Sequence, residues 1–165
     1  MNRAYRSVWS EVRGTFVAVA EIAVFAASLM GSSVSVALPT GGQVVAGQGS
    51  ITQGSSTLTV SQGSQNLILN WQGFGIGPNE SVRFNQPNAA AIALNRVTGS
   101  NPSQIYGQLS ANGQVYLLNP NGILFAPTAQ VSVGGLVAST LDLSNADFLA
   151  GKRTFSGNGS PATVL

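Results

Sequence analysis

From Gln43 to Ala138 the chain is cut into short apolar or alternating runs, each fenced by Gly, Asn, Ser or Pro. The runs include Ser50-Ile51-Thr52, Leu58-Thr59-Val60, Leu67-Ile68-Leu69, Val82-Arg83-Phe84 and Ala91-Ile92-Ala93-Leu94. They continue with Ile105-Tyr106, Val115-Tyr116-Leu117-Leu118, Ile123-Leu124-Phe125, Val131-Ser132-Val133 and Leu136-Val137-Ala138. Short runs rich in Val, Ile, Leu and aromatics, with turn residues between them, read as β-strands. Almost no stretch before Leu141 keeps a 3.6-residue apolar period over enough length to compete. The pattern predicts an all-β chain.

Composition narrows the architecture. Only 7% of the 165 residues are charged, against about a quarter in ordinary globular domains. Outward strand positions therefore fall to Ser, Thr, Gln and Asn. These side chains stack on copies of themselves in a parallel solenoid without like-charge repulsion. A weak echo, Gln48-Gly49-Ser50, Gln53-Gly54-Ser55 and Gln62-Gly63-Ser64, hints at repetition but has no fixed period. On composition alone a parallel β-helix stands only slightly ahead of a sandwich with a polar surface.

The first residues have a different character. Arg3, Arg6 and Arg13 precede an apolar stretch from Ile22 to Met30, and small residues then lead to Ser35-Val36-Ala37. A basic start, a short apolar run and a small-x-Ala end are the parts of a secretory signal peptide. The run is too short to span a bilayer as a helix. Cleavage is expected after Ala37, leaving Leu38 as the first mature residue; the alternative is an amphipathic helix that stays attached. The region before the apolar run, with Tyr5, Trp9 and Glu11, is longer than a minimal signal needs.

That division reinterprets the pI near 9.5. Residues 38–165 carry Arg83, Arg96, Lys152 and Arg153 against Glu80, Asp142 and Asp147, a net charge of +1. Scattered basic residues in this number do not make the phosphate-binding patch that nucleic acid requires. The absence of Cys and His excludes thiolate and imidazole metal sites, Cys- or His-based catalytic pairs and disulfides. The few carboxylates, with capping accounting for Asp147, do not form the pair that glycoside hydrolysis needs. Neither an enzyme, a metal, a cofactor nor a small-molecule substrate is expected.

Two local signals are sharp. Ser144-Asn145-Ala146-Asp147 offers an N-cap with an acid three positions later, followed by Phe148 and then Gly151; this predicts a short helix near 144–150. Asn119-Pro120-Asn121-Gly122 predicts a tight turn, since Pro120 presets φ and Asn121 and Gly122 tolerate the turn geometries next in the chain.

The string from Asn119 to Phe125, followed by Ala129-Gln130-Val131-Ser132-Val133-Gly134-Gly135-Leu136-Val137-Ala138-Ser139-Thr140, resembles the secretion domain of two-partner secretion exoproteins. This is the filamentous haemagglutinin type, often called the haemagglutination activity domain. Phe84-Asn85-Gln86-Pro87, Ala93 to Val97, Asn101 to Ile105, and Leu38 to Gly47 are similar to the same family. Met1-Asn2-Arg3, Tyr5-Arg6 and Val8-Trp9 resemble its extended signal peptide region, which accounts for the long segment before the apolar run.

The resemblance implies a right-handed parallel β-helix with short extra hairpins or strands. It implies export by the Sec machinery and recognition by an outer-membrane transporter of the Omp85 superfamily, through periplasmic POTRA domains and a β-barrel. The secretion domain would then nucleate folding outside the cell. Carried over from the family motifs, the recognition candidates are Asn95, Arg96, Asn101, Pro102, Asn119, Pro120, Asn121 and Gly122. A second possibility is an adhesin in its own right, with Trp71, Phe74 and Tyr106 stacking on host sugars. Residues 1–37 are expected to be the extended signal peptide, and 38–165 a secretion domain truncated at its C-terminal end. A solenoid stopping there exposes an open edge and an uncapped apolar end, so the isolated chain is expected to be aggregation-prone or partly disordered after about Lys152.

Overall fold

The computed structural model describes residues 37–165 and, as backbone only, Tyr5–Ser10 (β1) and Thr15–Ala20 (β2). The apolar stretch from Ile22 to Met30 and the basic residues Arg3 and Arg13 lie outside the described residues. β1 and β2 form an antiparallel pair that lies beside β14, the strand Gly135–Ser139.

The remainder is a β-solenoid of about four coils. Its front sheet stacks Thr57–Gln62 (β5), Ser81–Asn85 (β7), Gln108–Ala111 (β10) and Gln130–Ser132 (β13), all parallel. Its back sheet stacks Asn66–Trp71 (β6), Ile92–Val97 (β8), Gln114–Leu118 (β11) and β14 in the same way. A narrow side sheet pairs Ser103–Ile105 (β9) with Ile123–Phe125 (β12), extended by single bridges at Ile76 and Val164. The N-terminal end is different: Gln43–Ala46 (β3) and Gly49–Gln53 (β4) lie antiparallel on β6 and β5 and close that end of the stack. The direction of each sheet reverses there.

Strand parity builds the core. In the front sheet Leu58, Val82, Leu109 and Val131 are in register and point inward, while Thr59, Arg83, Ser110 and Ser132 point outward. In the back sheet Leu67, Ala93, Val115 and Leu136 form the corresponding inner column. Successive strands sit about 4.8 Å apart, so each inner side chain meets its counterparts in the adjacent coils. Trp71 and Phe74 close one corner of this core in an edge-to-face contact, with ring centroids 5.6 Å apart at 84°.

The corners are held by side-chain amides. Between front and back sheets, Gln86 Nε2 donates to Gln62 Oε1 (3.1 Å), Ala91 O (3.2 Å) and Gln114 O (3.0 Å). Its Oε1 accepts from Gly113 N at 2.9 Å. Asn112 in the next coil repeats the device, bonding both Gln86 N and Gln86 O at 2.7 Å. Stacked corners would otherwise leave backbone groups buried without partners, each costing about 1–3 kcal/mol. Among the described residues no buried side-chain polar atom lacks a hydrogen bond.

Most of the expected strands are present, but the Gln-Gly-Ser echo is not a coil repeat. Its copies mark the entry to β4, the β4–β5 hairpin and the first corner. β10 is not among the expected strands, because Leu109 is its only large apolar residue. The segment after Lys152, expected to be partly disordered, is built into the fold. Phe155–Ser156 (β16) pairs with Asp142–Leu143 (β15), and Leu165 exchanges backbone bonds with Ile123 and Phe125. Pairing along the side sheet gives this segment the backbone partners that make it part of the stack.

The fourth coil contains the longest excursion. The chain leaves the back sheet after Ser139, forms β15, the helix Asn145–Leu149 (α1) and β16, and rejoins the side sheet at Val164. α1 begins as its sequence predicts: Ser144 Oγ accepts from Asp147 N at 3.1 Å, and Gly151 follows with φ +79°. Phe148 is fully buried, not against the solenoid interior but against the outer face of the back sheet. There Ile68, Leu94, Tyr116 and Leu118 form a second apolar cluster with Leu143 and Phe148.

Candidate functional site

Most of the motif residues meet at the corner between the back and side sheets. Asn119 is its centre, fully buried. Its Nδ2 donates to Asn101 O at 3.0 Å and Ser103 Oγ at 2.9 Å in the coil before. Its Oδ1 accepts from Asn121 N (2.9 Å) and Nδ2 (3.0 Å), which ties the turn to itself. Asn121 Nδ2 also reaches Gly99 O at 2.8 Å. On the other side Asn119 N donates to Ser139 O at 2.9 Å, and Ser160 Oγ donates to Pro120 O at 2.9 Å. The turn is therefore a rivet through three successive coils. Gly122 has φ +112°, and a Cβ there would lie 3.1 Å from Thr163 O, so both backbone conformation and space call for glycine.

Asn95 and Arg96 belong to the same corner region but not to its surface. Asn95 points into the core from β8, between Leu69 and Leu117 in register. Its Oδ1 accepts from Trp71 Nε1 at 3.0 Å, and its Nδ2 donates to Ala93 O and Tyr116 O, each at 3.2 Å. It satisfies the one polar atom that Trp71 brings into the core, which is a structural task. Arg96 faces outward and is half-buried under the excursion. It donates to Asp142 Oδ1 and Asn145 Oδ1, each at 2.8 Å, to Asn70 Oδ1 at 3.3 Å and to Leu143 O.

What the corner offers to solvent is thus a subset of the candidates. Asn101 and Pro102 are exposed, and Pro120 and Asn121 are half-buried. Pro102 and Asn121 line a cleft of about 490 Å³, together with Ile123, Leu124 and Leu165. Its walls are mostly apolar, so it can accept side chains or extended backbone but holds no acid–base or nucleophilic pair.

Residues outside the recognition candidates matter here. Asn70, Asn145 and Asp142 complete the Arg96 cluster, and Ser103, Ser139 and Ser160 complete the Asn119 rivet. Parity is the available signal: Ala93, Asn95 and Val97 alternate inward, which places Arg96 with Leu94 on the outer face.

The aromatic platform of the adhesin reading is not formed. Trp71 and Phe74 are 1% and 2% exposed and face the core. The carboxylates are dispersed: Glu80 Oε2 accepts from Gly77 N in a front-sheet corner, and Asp142 is occupied by Arg96. Among the described residues no cluster of three or more acidic side chains could hold a metal ion. At the expected cleavage point Ala37 is exposed while Leu38 is already part of the solenoid core.

The family profile described as "TPS secretion domain" matches residues 35–164. The chain belongs to that family. A second profile, "Extended Signal Peptide of Type V secretion system", matches residues 1–50. The chain is 41% identical over 126 residues to a "Heme/hemopexin-binding protein" of Haemophilus influenzae strain Rd, covering 76% of this chain but 13% of that protein. A second Haemophilus influenzae protein of that name is 50% identical over 86 residues, 52% of this chain and 9% of the relative. The chain thus spans about an eighth or less of these relatives. Among solved structures the HMW1 secretion domain of Haemophilus influenzae aligns with TM-score 0.71 and 36% identity, over 76% of this chain and 34% of that one.

A TPS secretion domain behind an extended signal peptide marks the N-terminal part of a two-partner secretion exoprotein. It is secreted by a Gram-negative cell through the periplasm. The class implies Sec export and a dedicated outer-membrane transporter. The solenoid expected from the resemblance is also the fold of the HMW1 secretion domain.

Proposed function

We propose that residues 38–165 are the recognition and folding module of this exoprotein and have no catalytic role. Sec exports the precursor, and residues 1–37 are removed after Ala37. An Omp85-superfamily transporter then engages the module through its POTRA domains and barrel. Outside the cell the module nucleates the β-helix of the downstream exoprotein.

The one-ended stack carries this reading. β3 and β4 close the N-terminal end by reversing direction, whereas β13 and β14 are edge strands at the other end among the described residues. Once residues 1–37 are removed, and with them β2 that lies beside β14, parallel strands can be added at that end. A template already ordered spares the next coil the loop-closure and ordering cost of starting alone.

The corner supports two kinds of recognition. In the folded module Asn101, Pro102, Pro120, Asn121 and the partly covered Arg96 can be touched, whereas Asn95, Asn119 and Gly122 are buried and become accessible in an extended chain. The test is secretion of the precursor beside its cognate transporter, with Asn101→Ala/Pro102→Ala compared against Asn119→Ala. Recognition at the motif predicts that the precursor still reaches the periplasm while extracellular protein falls for at least one variant. Loss with Asn119→Ala alone selects the extended chain, provided that the purified variant keeps its fold. Undiminished secretion of both variants removes this corner from recognition.

A further inference from the structure

The excursion over the back sheet has an arrangement that packing alone does not require. Its parts are too small to stand alone. α1 has five residues and β15 and β16 two each, well below the ~12–15 residues at which an isolated helix becomes marginal and short of a self-sustaining hairpin. Their order depends on the surface beneath them.

That surface is assembled from separate coils. Ile68 comes from the first, Leu94 from the second, and Tyr116 and Leu118 from the third. Before those coils are stacked in register, no continuous apolar strip exists for Phe148 and Leu143 to cover. Two arginines then fasten the cover at opposite places. Arg96, from the second coil, joins Asn70 of the first to Asp142, Leu143 and Asn145 of the excursion. Arg153, from the excursion, lies against Tyr116 and Phe148, with its guanidinium carbon 5.5 Å and 5.0 Å from the ring centroids. Its Nε donates to Tyr116 Oη at 3.2 Å, and its Nη1 to Phe148 O at 3.2 Å.

We propose that residues 142–156 form a strap that closes last, across coils already stacked, and holds the first three against reopening. Closure reports that the coils are in register, because a slipped strand reverses the side-chain parity of the strip. That the strap secures coils already outside the cell rests on the export reading of the module; the order of closure does not.

Pulse-labelled hydrogen exchange during refolding of the full purified chain tests the order. Amides of β6, β8 and β11 should become protected in an earlier phase than those of β15 and α1. Protection of the strap together with or before those strands overturns the proposal. At equilibrium, Arg96→Gln should speed exchange in the strap about tenfold or more, since it removes several charge-assisted bonds. Arg153→Gln, which removes the contacts to Tyr116 and Phe148 but leaves Asn70 and Arg96 in place, should speed it about two- to fivefold. In both variants β6, β8 and β11 should keep their protection. Unchanged strap exchange in both variants, or equal acceleration of all these strands, overturns the separate strap. These measurements involve no transporter, so they fail or succeed independently of the secretion assay.

Discussion

Arg83 and Arg96 lie in the same coil, on neighbouring strands, and both point away from the solenoid interior. Arg83, on the front sheet, is exposed and makes no hydrogen bond among the described residues. Arg96, on the back sheet, makes four. The difference is that of the two faces. The front face is a bare polar ladder, in which Thr57 and Ser81 pair at 3.2 Å and Gln108 donates to Gln130 at 2.9 Å. The back face is an apolar strip with its own cover. The core is thus doubled on one side only, and equal substitutions should have unequal effects on the two faces.

The largest contrast is expected at Leu94, fully buried on the outer back face. Leu94→Ala should cost about 2–5 kcal/mol in chemical denaturation, as much as an inner-core truncation. A cost below about 1 kcal/mol, the scale of an ordinary substitution, would mean that the outer cluster contributes little. Arg96→Gln should cost about 1.5–3 kcal/mol, against no more than about 0.5 kcal/mol for Arg83→Gln. Most of the Arg96 effect belongs to its neutral acceptors, because Asp142 is 61% exposed and a solvated ion pair contributes about 0–1 kcal/mol. Arg96→Gln and Asp142→Asn are therefore expected to differ, and equal losses would return the effect to the ion pair. Gly122→Ala should cost about 1–3 kcal/mol through its left-handed φ, measured in the same titration. Ser110→Ala, in the front ladder, should stay within about 0.5 kcal/mol of the parent; a larger loss would show that the bare face also contributes.

The sequence shows strand identity more clearly than strand use. Alternation and turn residues disclose β5 to β8 and β11 to β14 because each run has at least two large apolar side chains, Val133 just past β13 joining Val131 there. β10 has one, and its pairing with β7 and β13 is tertiary information. The helix at Asn145 is legible because a cap is a local signal. That Phe148 covers the back sheet is not, since a strand with apolar residues on both faces, such as Asn66–Trp71, does not say what covers the second. The motif residues are legible as a group, and the corner does gather most of them. Their individual roles depend on inward and outward parity: Asn95 serves Trp71, Arg96 fastens the strap, and Asn119 rivets the coils. The amide stacking of Gln62, Gln86 and Asn112 has no counterpart in the linear sequence, because its partners lie one coil apart.

The reversed strands at the N-terminal end carry one more consequence. A stack of coils behaves as a one-dimensional lattice, in which each unit is stabilised by its neighbours. With both ends open, order can begin anywhere and spread both ways, so several fronts can meet out of phase. β3 and β4 fix the boundary at one end. The lattice then has a single growing front, and every later coil inherits its phase from the one before it. If the module nucleates the fold as proposed, an exoprotein several times its length solves the register problem once, in its first coils.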